Sequence, residues 1–215
     1  MSGFIIEILP RLLWGAVVTL EVTFLSALLA LVLSFAAAFA RASPWRALRW
    51  AATAYVELLR GTSAIVQLFY LFFILPAFGV SLGAMTTAVI GLGLNLSAYG
   101  SEVVRAGLSG IGQGQREAAL SLGLNRFLTY RLVIIPQALA LMMPSFGNLL
   151  IELIKATSLV SLITLTDLTF SGRQMVVTTG QTTLVWSLVL VIYFAISYPL
   201  TFLVRRAERR AARFR

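Results

Sequence analysis

The sequence predicts an all-α integral membrane protein with about five transmembrane helices, its N-terminus outside and its C-terminus in the cytoplasm. Three observations carry that reading: long uncharged apolar runs, few charged side chains, and arginines gathered in alternate loops. Of the 215 residues, 59% are hydrophobic and 12% charged. Soluble domains average about 25% charged and roughly 45–50% apolar residues. A mean hydropathy of +0.92 fits a chain solvated mostly by lipid.

A helical span needs roughly 20 apolar residues, because each rises about 1.5 Å through about 30 Å of hydrocarbon. Between Arg11 and Arg41 the only charge is Glu21, which places span one at about 14–40. Residues 1–13 are too short to span and are interrupted by Pro10. Phe4, Ile5, Ile8 and Leu9 are expected on the outer interface, anchored by Trp14. A cleaved leader, suggested by Ala38-Phe39-Ala40, is set aside because its n-region lacks positive charge and the apolar run is too long. No charge occurs from Gly61 to Ser101, and Pro76, Gly79 and Gly83 divide this stretch into spans at about 58–76 and 84–107. The uncharged run from Leu132 to Ile151 gives a span at about 132–154, which Pro136, Pro144 and Gly147 must bend or delay. The last span, at about 184–204, lies in a further long uncharged stretch, Gln174 to Val204. All belong to one transmembrane domain, residues 1–215.

Orientation follows from the arginines. Arg41, Arg46, Arg49 and Arg60 follow span one, and Arg105, Arg116, Arg126 and Arg131 follow span three. Arg205, Arg206, Arg209, Arg210, Arg213 and Arg215 form the tail, so these groups hold 14 of the 17 basic residues. Arg11, Lys155 and Arg173 remain for the other side. Cytoplasmic loops carry the excess positive charge.

Two absences narrow the function. Without histidine or cysteine the chain has no disulfide, no usual zinc or haem ligand, and no Ser-His or Cys-His nucleophile. The single lysine, Lys155, follows Glu152-Leu153-Ile154 with no glycine, so no phosphate-cradling loop exists. Energy must come from a partner or a gradient, and no cofactor or metal is called for. Nucleic acid is not an expected partner, because the arginines flank apolar runs and form no face interleaved with aromatics.

The loop after span three, residues 112–125, is the informative segment. Helix formers run from Gln115 to Leu122, Gly123 stands where a C-terminal cap glycine would, and Asn125 can cap the next helix. Ala118, Ala119 and Leu122 would give this short helix a small-residue face that another protein can approach. An ordinary interfacial helix is the competing reading.

Glu117-Ala118-Ala119, Gly123 and Val133-x-Ile135-Pro136 resemble the EAA loop of ABC importer permeases, with the same spacing. Arg60-Gly61-Thr62-Ser63 with Gln67-Leu68-Phe69 is similar to a segment of the polar amino acid permeases. So are Ala98-Tyr99 with Glu102 and Arg105, Pro136-Gln137-Ala138, Gly147-Asn148, and Thr157-Ser158-Leu159. The resemblance, which extends over most of the chain, implies the type I ABC importer (MetI-like) permease fold. It also implies a bacterial cytoplasmic (inner) membrane and a second permease subunit, identical or different. An ATP-binding subunit would be docked through Gln115, Glu117, Ala118, Ala119, Leu122 and Gly123, and an extracytoplasmic protein would deliver the solute. The chain would then couple ATP hydrolysed on a partner to transport without being an enzyme itself. A gradient-driven carrier or a channel is the alternative, disfavoured because span five has no midplane acid and nothing suggests a filter.

Polar side chains at membrane depth are solute-path candidates. They are Gln67, Asn95, Ser97, Tyr99 and Asn148, joined on the resemblance by Thr157 and Ser158. Interhelical hydrogen bonding competes evenly for Gln67 and Asn148, whereas the cavity is preferred for Asn95 and Tyr99. Three pairs, Glu57/Arg60, Glu102/Arg105 and Glu152/Lys155, have the i,i+3 spacing of local charge neutralisation. Resembling permeases commonly carry Asp where this chain has Ala156. That loss removes a partner for a cationic side chain and points to a small zwitterionic solute, a neutral polar amino acid or a compatible solute of the ectoine kind.

Overall fold

The computed structural model describes residues 2–211, with side chains from Glu7 to Arg206. Phe4, Ile5 and the tail arginines from Arg209 onward therefore lie outside the described side chains. The described residues are all-helical and contain no strand. The elements are α1 (Ser2–Arg41), α2 (Arg46–Gly61), α3 (Ala64–Phe69), α4 (Ala84–Ser109), α5 (Gln113–Ser121), α6 (Arg126–Leu128), α7 (Ile135–Ala156), α8 (Leu168–Thr179) and α9 (Thr182–Ala211).

Helix α1 packs chiefly on α4, and its two faces show how a helix sorts itself in lipid. The buried face is small and polar: Gly15, Ala16, Thr19, Thr23, Ser26, Ala30, Ser34 and Ala37. Trp14, Val17, Leu20, Phe24, Leu28 and Val32 are exposed. Small residues let backbones approach, while lipid accepts large apolar side chains at no cost. Hydroxyls at membrane depth return to their own helix: Thr23 donates to the Thr19 carbonyl at 2.7 Å and Ser34 to that of Ala30 at 2.6 Å. At Gly100 of α4 even a methyl group would collide with Ser34, so glycine sets the approach of these helices.

The N-terminal segment differs from expectation. Helix α1 is continuous through Pro10, and Ile8 and Leu12 are 3% and 0% exposed. They pack with Leu168, Met175, Val185 and Val189, so this turn fills the space between α8 and α9 instead of lying free on an interface. Pro10 lies inside α1, more than two turns from its start, so it removes one hydrogen bond of the helix without ending it.

The second expected span is broken. Helix α2 stops at Gly61, Thr62 and Ser63 are extended, and the chain bends by 106° into a helical run from Ala64 to Phe78. The widened turns at Tyr70–Ile74 and Thr129–Ile134 each end two residues before a proline, Pro76 and Pro136. A proline ring clashes with the carbonyl four residues back, and a π turn relieves that crowding. Helix α7 runs through Pro144 to Ala156. Helix α8 is an additional element between the fourth and fifth expected spans. It starts at Asp167, whose buried carboxylate accepts from Phe170 N at 2.8 Å and Thr169 N at 3.2 Å.

Candidate functional site

Helices α4 and α7 pack together, and one face of each carries the polar residues in register. On α4 the face reads Asn95, Tyr99, Glu102 and Ala106, followed by the cap residue Gly110; on α7 it reads Gln137, Leu141, Ser145, Asn148, Glu152 and Ala156. Spacings of three and four residues put each set on one stripe. A groove of about 1060 Å³ lies between them toward the cytoplasmic end, lined by Glu102, Ala106, Gly110, Gln137 and Ser145, with Gln115 at its mouth. A smaller cavity of about 280 Å³ continues the stripe and is lined by Thr62, Ser63, Asn95, Tyr99, Glu152 and Ala156. Asn148 falls between the two, exposed and without a side-chain hydrogen bond among the described residues.

The structure divides the sequence candidates. Asn95, Tyr99 and Glu152 meet in the smaller cavity. Gln67 and Asn95 also repair the break after α2. The Leu59 carbonyl accepts from Gln67 Nε2 at 2.9 Å and Asn95 Nδ2 at 3.3 Å, and Asn95 Nδ2 also donates to Gln67 Oε1 at 3.2 Å. Gln67 thus takes the interhelical role, and Asn95 combines that role with a place in the cavity wall. Ser97 points away from the cavity, buried with Tyr55 and the Ser34 hydroxyl. Thr157 is fully buried and donates to Ile154 O at 2.6 Å, a helix-end contact. Ser158 lines a separate cavity of about 330 Å³ with Lys155 and Tyr193.

Two expected charge pairs do not form. Glu152 and Lys155 make no ion pair among the described residues, and Arg60 turns from Glu57 to Glu102. Glu102 collects Arg41 at 2.7 Å, Arg60 at 3.2 Å and Arg105 at 2.7 Å. This hub ties the ends of α1, α2 and α4 together. The Arg60 guanidinium also lies 5.6 Å from the centre of the Tyr99 ring. Local spacing reveals only the Glu102–Arg105 member, because the other two arginines arrive from distant turns.

The loop helix α5 ends in a Schellman motif. Gly123, at φ +73°, donates to Leu120 O at 2.9 Å, and Leu124 N donates to Ala119 O at 3.1 Å. Asn125 then accepts from Leu128 N at 2.9 Å and caps the next helix. Glu117, Ala118 and Gly123 are exposed, as are Leu120 and Leu122 at 62% and 80%. Ala119, expected on the free face, is instead 2% exposed, on a helix packed against the turn at 129–134. Leu120 takes its place among the exposed apolar groups. Gln137 Nε2 donates to Gln115 Oε1 at 3.2 Å, linking α5 to α7.

A polar stripe between two helices of an apolar bundle, beside an exposed loop helix, fits a membrane permease. Residues 30–213 match the family of binding-protein-dependent transport system inner membrane components, and the chain belongs to that family. It is a permease subunit of an ABC importer. That membership displaces the carrier and channel alternatives. Among its relatives, the glutamine transport system permease protein GlnP of Escherichia coli is 38% identical over 204 residues, 94% of this chain and 93% of that one. The L-cystine transport system permease protein TcyB of Bacillus subtilis is 36% identical, covering 95% of this chain and 88% of its own. A crystal structure of an amino acid ABC transporter with histidines superposes with a TM-score of 0.91 at 32% identity, covering 96% of both chains. The inward facing MetNI methionine ABC transporter shares the fold, with a TM-score of 0.78 at 23% identity over 98% of this chain and 99% of that chain.

Proposed function

We propose that this permease carries a small, zwitterionic polar amino acid across a bacterial inner membrane along the α4–α7 stripe. The observation that carries the reading is the cavity at Asn95, Tyr99 and Glu152, whose wall includes Ala156. Glu152 has no cation partner among the described residues and would meet the solute ammonium. Ser63 and Tyr99 offer hydroxyl donors to its carboxylate, whereas the Asn95 amide and the Thr62 hydroxyl already donate within the protein. Alanine at 156 leaves no second carboxylate for a cationic side chain. The relatives named for glutamine and cystine, and the structure of an amino acid transporter, support an amino acid over the ectoine-like alternative.

ATP would be hydrolysed by a separate ATP-binding subunit docked on Glu117, Ala118, Leu120, Leu122 and Gly123, leaving this chain without catalysis of its own. A second permease subunit would complete the cavity, and an extracytoplasmic binding protein would load it. Uptake of labelled glutamine by the reconstituted transporter, competed by unlabelled amino acids, tests the reading. Inhibition by neutral polar amino acids is expected. Strong inhibition by arginine or lysine, with none by neutral zwitterions, would overturn the charge argument.

A further inference from the structure

We propose that the cytoplasmic end of the bundle carries a site for an anionic lipid, its phosphate headgroup held by arginines and its chains lying along α1. A cavity of about 520 Å³ there is lined by Arg41 from α1, Arg49 from α2, Arg105 from α4 and Arg116 from α5. The single negative charge of Glu102 is shared among Arg41, Arg105 and Arg60. Arg49 and Arg116 have no acidic partner among the described residues. The cavity is therefore left with surplus positive charge, and the hydroxyls of Thr53 and Ser109 stand in its wall. Basic pockets between helices on the cytoplasmic side suit anionic headgroups.

An apolar path leads out of the same cavity. Phe39 lines it and is 56% exposed, and above it on the same face of α1 lie Ala36, Val32 at 61%, Leu28 at 54% and Leu25 at 37%. Steps of three and four residues make this one stripe, and 14 residues rise about 21 Å, more than one leaflet's share of a hydrocarbon core about 30 Å thick. Trp45 and Trp50 stand 75% and 70% exposed at either side of the first turn of α2, as interfacial anchors do. A free phosphate would use only the arginines, and an acidic peptide would have no use for the stripe. An amphiphile uses both. Because Arg116 belongs to α5, an occupied site also joins the loop helix to α1, α2 and α4; that consequence rests on the proposed function, whereas the binding site does not.

The full-length chain, purified in mild detergent with added phosphatidylglycerol or phosphatidylcholine, is examined by native mass spectrometry. Phosphatidylglycerol should be retained preferentially. Arg49→Gln should weaken retention about fivefold, and Arg49→Gln with Arg116→Gln about 25-fold, from the usual contribution of each basic residue. Millimolar inorganic phosphate should not displace the lipid. Equal retention of the two lipids, or unchanged retention in the double variant, would overturn the site. Displacement by phosphate would reassign it to a free anion, and cross-linking of Phe39→Cys to the second permease would give the stripe to that subunit; either result overturns the lipid proposal. The single variant replaces an exposed arginine, so its outcome can be read even if the double variant folds poorly.

Discussion

Replacing Glu102 with glutamine tests whether one carboxylate holds the cytoplasmic ends of three helices. Its side chain is 22% exposed and its partners differ: Arg41 is 12% exposed, Arg60 38% and Arg105 61%. Removing one member of a fully buried pair costs about 3–5 kcal/mol, because the other charge is stranded, whereas exposed pairs contribute about 0.2–1 kcal/mol. Glu102 lies between these limits and its heaviest debt is to Arg41, so Glu102→Gln should cost about 2–3 kcal/mol. Arg105→Gln loses only the exposed arm and should cost under about 1 kcal/mol. At about 2–4 °C per kcal/mol for a chain of this size, the first variant should lower the thermal midpoint in detergent by about 4–12 °C. The second should stay within about 4 °C of the parent. Arg41→Gln combined with Glu102→Gln should be less damaging than the sum of the singles, because no charge is then left stranded. Equal shifts for Glu102→Gln and Arg105→Gln, or strict additivity in the double variant, would refute this account.

The chain has no cysteine, so single cysteines report topology directly: Ser43→Cys and Ser121→Cys should resist an impermeant thiol reagent in intact cells, while Ser81→Cys and Gly180→Cys should react. Gly123→Asp strains a left-handed residue that meets nothing else within this chain, and Glu117→Lys reverses an exposed charge. Both should leave the protein in the membrane and reduce solute-stimulated ATP hydrolysis in the assembled transporter; normal stimulation in both would exclude α5 as the coupling element. Asp167→Ala should cost about 1–2 kcal/mol by removing the α8 cap, as read by the thermal midpoint. Burial pushes the Asp167 carboxyl above its ordinary value, against the hydrogen bonds from Phe170, Thr169 and Tyr193 that favour its charged form. The folded state then holds the proton more tightly than the unfolded one. Stability from this group is full below the unfolded value, near 3.9, and falls as pH rises through the raised folded value. Asp167→Asn keeps the acceptor without the charge and should flatten that part of the pH profile; a profile identical to the parent would count against it.

The bundle and the loop helix were legible because their signals are local. Apolar run length marks most of the long helices, and the turn after α5 follows from Gly123 and Asn125 at fixed offsets. The site was less legible because its polar residues serve partners remote in sequence. Asn95 reads as a free amide at membrane depth until the break at Thr62 and Ser63 shows a carbonyl, Leu59 O, that the helix can no longer satisfy. Glu57/Arg60 has ideal helical spacing, yet Glu102 offers Arg60 a less exposed acceptor already pulled in by Arg41. The start of α8 did have a local signal, an aspartate ahead of Leu168 and Phe170. It was obscured because the segment follows a long helix and carries little apolar periodicity.

The placement of charge on α4 and α7 divides the molecule mechanically. Glu102 fastens α4 to the ends of α1 and α2 through arginines, which makes those three helices one body at the cytoplasmic end. Helix α7 has no part in that hub; its described side-chain tie to the loop is Gln137 to Gln115, a single exposed hydrogen bond to α5. Bonds of that kind contribute about 0.5–1.5 kcal/mol, less than the buried arm of the hub. Helix α5 also packs, through buried Ala119, on the turn at 129–134 that runs directly into α7, whereas no ion pair of the hub reaches α7. Moving α7 relative to α4 changes both cavities at once, since each takes one wall from each helix. On the proposed function, a pull on α5 would pass through the turn at 129–134 into α7 and reach Glu152 without first breaking the Glu102 hub.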